Sequence, residues 1–186
     1  MRISVDDASD SDVRVAELAA KYQIETTFYW PVEWHSLAYS KGFEPLLFSE
    51  AVDIASNFRI GSHTISHSLL TKIPIEQAKY EISESKPMLE DLLGVEIDSF
   101  CPPRGYTTPE LSEYILEIYD TQRLTRGYDS SGNKLVHVHP DSGANNNLYW
   151  TDCIIENSHL WMHSFELDRF SLWEELEEVL QRYVNV

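Results

Sequence analysis

The chain has 186 residues, 42% of them hydrophobic and 12% aromatic, which is enough for the core of one domain and too apolar for a disordered segment. Fourteen Lys and Arg against 31 Asp and Glu leave a formal charge of −17. Such a charge repels polyanions, and with no run of Lys or Arg along the sequence, nucleic acid and anionic membrane surfaces are not expected partners. Two cysteines, Cys101 and Cys153, form neither a CxxC pair nor a disulfide framework. No stretch approaches the length of a membrane span, and "MRISVDD" leads directly into a strand pattern without an apolar leader. These features predict a cytoplasmic protein with a single domain over 1–186.

Residues 2–6 read as a short strand. Val15, Leu18, Ala19 and Tyr22 mark an amphipathic helix over 12–22, and the β-branched and aromatic run "IETTFYW" marks a strand at 24–30. Ser49 is placed to cap a helix over 50–57, after which 58–60 form a brief strand ending at Gly61. A long helix is predicted over 75–93, with Pro74 at its start, Gly94 past its end and Pro87 as a kink. A strand over 96–100 then runs into Pro102 and Pro103, and a helix over 108–119 is capped by Thr107 or Thr108 with Pro109 in its first turn. Beyond it the pattern predicts a strand at 121–126, a turn at 127–133, a strand at 134–138 and the polar loop "DSGANNN". A buried strand over 159–163 follows. The last helix, 171–184, aligns Trp173, Leu176, Leu180 and Tyr183 on one stripe.

Alternating strands and helices predict parallel βα units, compatible with an open doubly wound sheet or a closed barrel. Asp6 and Asp7, His63, Pro103 and Arg104, and His163 each fall at or just past the C-terminal end of a predicted strand. Barrels collect catalytic groups there.

"GSHTISH" (61–67) sets His63 and His67 at i and i+4, which on a helical turn brings both rings to one face, within reach of one metal ion. His137 and His139, two apart on a strand, share a face and rival them as ligands. His163 on an apolar strand reads either as a buried core histidine or as a functional group.

Taken in order, "SVDDAS" (4–9), "GSHTISH" (61–67), "SFCPPRG" (99–105) and "HLWMHS" (159–164) resemble the motifs of polysaccharide deacetylases with NodB homology, carbohydrate esterase family four. The resemblance covers nearly the whole chain and implies an α/β fold, a distorted (β/α) barrel of the NodB-homology type. It implies a metal-dependent hydrolase that removes N-acetyl groups from N-acetylated sugars. Asp7, His63 and His67 match the ligands of a divalent ion, with zinc the first expectation. Asp6 matches the catalytic base and His163 the general acid, while the backbone N–H of Arg104 matches the oxyanion donor. Pro103, Trp150, Leu160 and Trp161 are the expected substrate contacts, and the partner is a carbohydrate.

The chain departs from the pattern at four points. Cys101 stands where the family often carries an arginine that pairs with the catalytic aspartate, and Arg104 where an aromatic residue is common. Ala8 replaces a glycine. The acidic-tryptophan motif has no clean counterpart, "NLYWTD" (147–152) being nearest. Arg126, at the end of the predicted 121–126 strand, is the expected substitute cation for Asp6, with Arg104 as its rival. Two other functions fit the same residues: hydrolysis of another C–N bond in a cyclic imide or ureide, and a metal-containing glycan-binding domain that has lost turnover through Cys101.

Overall fold

The computed structural model describes residues 1–141, 149–155 and 157–184. Seven parallel strands form one sheet: β1 (Arg2–Asp6), β2 (Glu25–Trp30), β3 (Arg59–Ser62), β4 (Ser99–Phe100), β5 (Thr121–Gln122), β6 (Lys134–His137) and β7 (Ser158–His163). Their order is β5-β4-β3-β2-β1-β7-β6, with β1 an interior strand in register with both β2 and β7. The helices are α1 (Asp12–Tyr22), α2 (Trp34–Lys41), α3 (Phe48–Ala55), α4 (Ile75–Leu93), α5 (Pro109–Ile118), α6 (Ser164–Arg169) and α7 (Trp173–Val184). Among the described residues no helix is long and apolar enough to cross a membrane.

Strand alternation divides the molecule into an apolar outer layer and a polar interior. Ile3, Val5, Phe28, Trp30, Ile60, Leu160 and Met162 join the hydrophobic cluster shared with the helices. The residues between them, including Ser4, Asp6, Tyr29, Gly61, Trp161 and His163, turn to the opposite face. In a flat sheet, β5 and β1 would lie about 19 Å apart, four strand spacings of about 4.8 Å. Yet Arg123, the residue after β5, forms an ion pair with Asp6 on β1. The sheet is therefore curled into a distorted half-barrel, and its edge strands β5 and β6 are not paired with each other among the described residues.

The differences from the sequence prediction are mostly in short elements. Helix α4 continues through Pro87. Thr108 caps α5, its Oγ1 accepting the Leu111 N–H at 3.2 Å. α3 begins at Phe48, and Glu50 rather than Ser49 serves its first turn by accepting the Leu47 N–H at 3.0 Å. The predicted 121–126 strand reduces to Thr121–Gln122. Helices α2 and α6 were not predicted, being eight and six residues long, too short to show a clear apolar period. Of the loop "DSGANNN", only Asp141 lies within the described residues.

Gly61 marks a tight point of the sheet. A Cβ at this position would meet Tyr29 ring carbons at 2.4 and 2.5 Å and the Ser99 carbonyl oxygen at 3.0 Å. Tyr29 cannot easily retreat, because its hydroxyl is hydrogen-bonded to Ser99 Oγ at 2.7 Å. Gly61→Ala is expected to cost about 1–3 kcal/mol, as overpacking does. Urea unfolding would show a lower midpoint at unchanged slope, and a wild-type midpoint would contradict this packing.

Candidate active site

The strand ladder continues one residue past the ends of four strands. The N–H of Asp7 donates to Tyr29 O, that of His63 to Trp30 O, that of Cys101 to Ser62 O and that of Arg123 to Phe100 O, at 2.9–3.2 Å. Four neighbouring segments therefore deliver their first residue beyond the sheet to the same rim. At Asp7 and Ala8 the chain turns with φ of 82° and 58°. Aspartate tolerates this region, whereas alanine does so only at a cost that glycine avoids.

The His63–His67 segment is a loop, which corrects the helical-turn expectation. Thr64 and His67 have φ of 72° and 58°, incompatible with a right-handed helix. Its shape is imposed from α4. One Glu81 carboxylate accepts the N–H groups of Ile65 and Ser66, at 2.9 and 3.0 Å, and the Ser66 hydroxyl at 2.6 Å. Ser62 Oγ bonds Ser85 Oγ at 2.7 Å, fixing the loop's start to the same helix.

The loop and the β1 exit bring Asp7, His63 and His67 together, their ligand-type atoms all within 4.8 Å of one another. Asp7 Oδ1 lies 3.6 Å from His63 Nε2 and 3.2 Å from His67 Nε2, yet it is buried and accepts no hydrogen bond. The Cys101 carbonyl accepts from His63 Nδ1 at 2.6 Å, which leaves the lone pair on Nε2 directed toward Asp7. Burial lowers the His63 pKa to about 4, so the ring is neutral. A carboxylate and two imidazoles brought this close form a donor set that fits a divalent cation. Lys41 Nζ is 2.6 Å from the other Asp7 oxygen, a contact the sequence did not suggest.

Asp6 is buried beside this group. Burial opposes its ionisation, but the Arg123 guanidinium, His63 and His163 together outweigh burial and hold the carboxyl below its usual pKa. Arg123 is itself buried, with its guanidinium carbon 5.0 Å from the Tyr29 ring centre and 5.4 Å from that of Trp161. The cation at Asp6 is thus Arg123; neither Arg126 nor Arg104 forms an ion pair with it among the described residues. Cys101 contributes no charge, because burial raises its thiol pKa well above the ordinary value.

His163 faces Asp7 from β7, with Nε2 3.7 Å from Asp7 Oδ2. Its Nδ1 lies 3.0 Å from Glu166 Oε2 in α6. Burial lowers the affinity of His163 for a proton, while Glu166, Asp7 and Asp6 raise it further, leaving the pKa above its ordinary value. In "NLYWTD", the nearest counterpart of the acidic-tryptophan motif, Asp152 accepts the Tyr149 N–H at 3.0 Å, and the carboxylate behind His163 is Glu166. The one sequence sign was an acid three residues after His163, at helical spacing. His137 stacks on Trp161 with ring centres 3.7 Å apart and lies 3.4 Å from the same Glu166 oxygen. It joins this second cluster, His137, His163 and Glu166, and not the Asp7 group.

The expected substrate contacts divide according to strand alternation. Trp161 borders the cavity at the mouth of the half-barrel. Leu160, its neighbour on β7, is fully buried in the helix-facing core, as is Trp150, so neither offers a surface to a sugar. Pro103 is buried in the loop that carries Arg104, whose φ is 60°.

Residues 2–119 match the family described as Polysaccharide deacetylase, and the chain belongs to that family. No curated protein sequence matches it. Its fold is similar to that of peptidoglycan deacetylase PdaC from Bacillus subtilis, at 16% identity over 99% of this chain and 82% of that one, with a TM-score of 0.65. A family 4 carbohydrate esterase from Streptomyces lividans in complex with acetate matches at 16% identity, 99% and 88% coverage and a TM-score of 0.64. BA3943 from Bacillus anthracis, described as a CE4 family pseudoenzyme, matches at 15% identity, 95% and 60% coverage and a TM-score of 0.62. At these identities the likeness is one of fold, so the chemistry rests on this chain's own residues.

Removing the negative charge behind His163 should lower its pKa. In Glu166→Gln, an NMR titration of the imidazole is expected to move to lower pH than in the wild type. An unchanged titration would show that Glu166 does not support the imidazolium.

Proposed function

We propose that this chain is a metal-dependent hydrolase that removes the acetyl group from an N-acetylated sugar or oligosaccharide. The observation that carries the reading is Asp7 Oδ1, a buried and unbonded carboxylate oxygen facing two imidazole nitrogens, with Asp6 and His163 close by. Asp7, His63 and His67 would hold a divalent ion, zinc in the first instance. When bound, such an ion lowers the pKa of water and polarises an acetamide carbonyl.

The remaining steps belong to side chains. Asp6, kept ionised by Arg123, accepts the proton of the attacking water. His163, held through Nδ1 by Glu166, presents Nε2 to the leaving nitrogen and gives it the proton without which an amine leaves poorly. The Arg104 N–H is assigned to the developing oxyanion. The reading of a binding domain without turnover rested on Cys101 in the arginine's place, and Arg123 supplies the missing cation from another strand.

Zinc-loaded protein is expected to release acetate from N-acetylglucosamine oligomers and to hold one ion per chain. His63→Ala with His67→Ala should lose the ion. His163→Ala should keep it and lose about 10²–10⁴-fold in rate, the usual contribution of a general acid. Elemental analysis and an acetate assay on the same preparations decide the matter: no acetate from metal-loaded wild type would contradict deacetylation, and full occupancy in the double variant would contradict the ligand set.

A further inference from the structure

A cavity of about 930 Å³ opens over the site, bordered by Asp6, His67 and His163 and also by Lys41, Arg104, Arg126 and Lys134. Four of the chain's 14 cations thus share one cavity in a protein with 31 carboxylates. They lie far apart in sequence, which is why no basic run is visible there.

Among the described residues seven of the 14 Lys and Arg have a carboxylate within 4.0 Å, and Arg14, Lys72, Lys86 and Arg169 outside the cavity have none. Arg2, Lys21, Arg59, Lys79 and Arg182 on the outer surface each have a carboxylate partner. In the cavity Lys41 has Asp7, but Arg104, Arg126 and Lys134 have no carboxylate within 4.0 Å among the described residues. Lys134 Nζ donates only to a neutral carbonyl, that of Cys153, at 3.1 Å. The acids that border the cavity leave this charge uncompensated: Asp6 is engaged by Arg123, and Asp141 is a strongly exposed rim residue 4.0 Å from His139.

The backbone that carries the two arginines is anchored. The Thr125 hydroxyl donates to the Arg104 carbonyl at 3.3 Å, and the Thr125 carbonyl accepts the Trp161 indole N–H at 3.1 Å. Gly105 lies so close that a Cβ there would sit 2.2 Å from Thr125 Oγ1. Arg104 and Arg126 therefore flank one fixed contact, on loops tied to the tryptophan beside the proposed general acid. Guanidinium groups presented together without a protein partner are suited to an oxyanion on the ligand. A neutral glycan leaves them without one.

We propose that the glycan taken by this site carries an anionic group, a phosphate or a carboxylate, close to its N-acetyl group, and that Arg104, Arg126 and Lys134 receive it. The inference rests on the deacetylase reading for the position of the N-acetyl group, while the anion preference itself is a matter of binding.

The test is calorimetric titration of zinc-loaded His163→Gln protein, which turns over too slowly to disturb the measurement, with N-acetylglucosamine, N-acetylglucosamine 6-phosphate and N-acetylmuramic acid. At least one anionic sugar is expected to bind about 10–100-fold tighter than the neutral one, the range of one or two charge-assisted hydrogen bonds. Adding Arg126→Gln and Lys134→Gln should reduce that preference at least tenfold, which removes any share due to the ion's own attraction for phosphate. A phosphate-only or carboxylate-only preference identifies the source of the anion. Equal affinities for all three sugars, or a preference that survives the two substitutions, would overturn the proposal. Acetate release by the wild type from the same sugars reports separately on the reaction: anion-selective binding without acetate sinks the deacetylase reading and supports the anion site.

Discussion

The site is organised around one buried ion pair, Arg123 with Asp6. Both side chains are only 3% exposed, so each charge has exchanged water for the other. A charge left alone in such a place costs several kcal/mol, and this makes the pair a strong constraint on what surrounds it. Arg123 follows the edge strand β5 and Asp6 lies on β1, four strand positions away, so their contact requires the sheet to curl. The guanidinium lies between the Tyr29 and Trp161 rings, Tyr29 is fixed by Ser99, and Tyr29 fits over the neighbouring strand because residue 61 is glycine. A glycine on β3 thus bears on the ionisation of a carboxylate on β1.

The groups around Asp7 are held in the same way, by partners outside the cluster. Glu81 gathers two backbone N–H groups to shape the loop between the histidines, the Cys101 carbonyl selects the His63 tautomer, and Glu166 orients His163. Each partner comes from a different segment, and the ladder bonds past the strand ends set the segments at one level. This arrangement also explains how Cys101 can stand where an arginine is common. Position 101 still provides its carbonyl to His63, while the cation arrives from the strand beside it.

Much of this was legible in the sequence because it depends on local pattern. The strand ends that bear Asp6, Asp7, His63 and His163 followed from short apolar strand patterns, and the resemblance to the deacetylase motifs gave the family and a distorted barrel. What escaped was set by distance in space. Nothing within Thr121–Gln122 or its neighbours shows that Arg123, and not Arg126, points into the curl. Glu166 was hidden because α6 starts directly at the end of β7, without the turn that ordinarily announces a helix. The HxxxH spacing suggested a helical turn, but the carboxylate of Glu81, supplied by a helix further along the chain, stabilises positive-φ loop geometry instead. Leu160 and Trp150, expected at the substrate, lie in the helix-facing core, and a residue next to a functional histidine, as Leu160 is, looks the same in sequence whether it faces the cavity or the core.

A double-mutant cycle on folding stability with Asp6→Asn and Arg123→Gln tests the buried pair most directly. Each single substitution leaves one charge buried without its partner and should cost about 3–5 kcal/mol, whereas the double variant should lose clearly less than the sum of the two. Two single costs that add, within about 0.5 kcal/mol, would show the residues to be independent and contradict the role given to the pair.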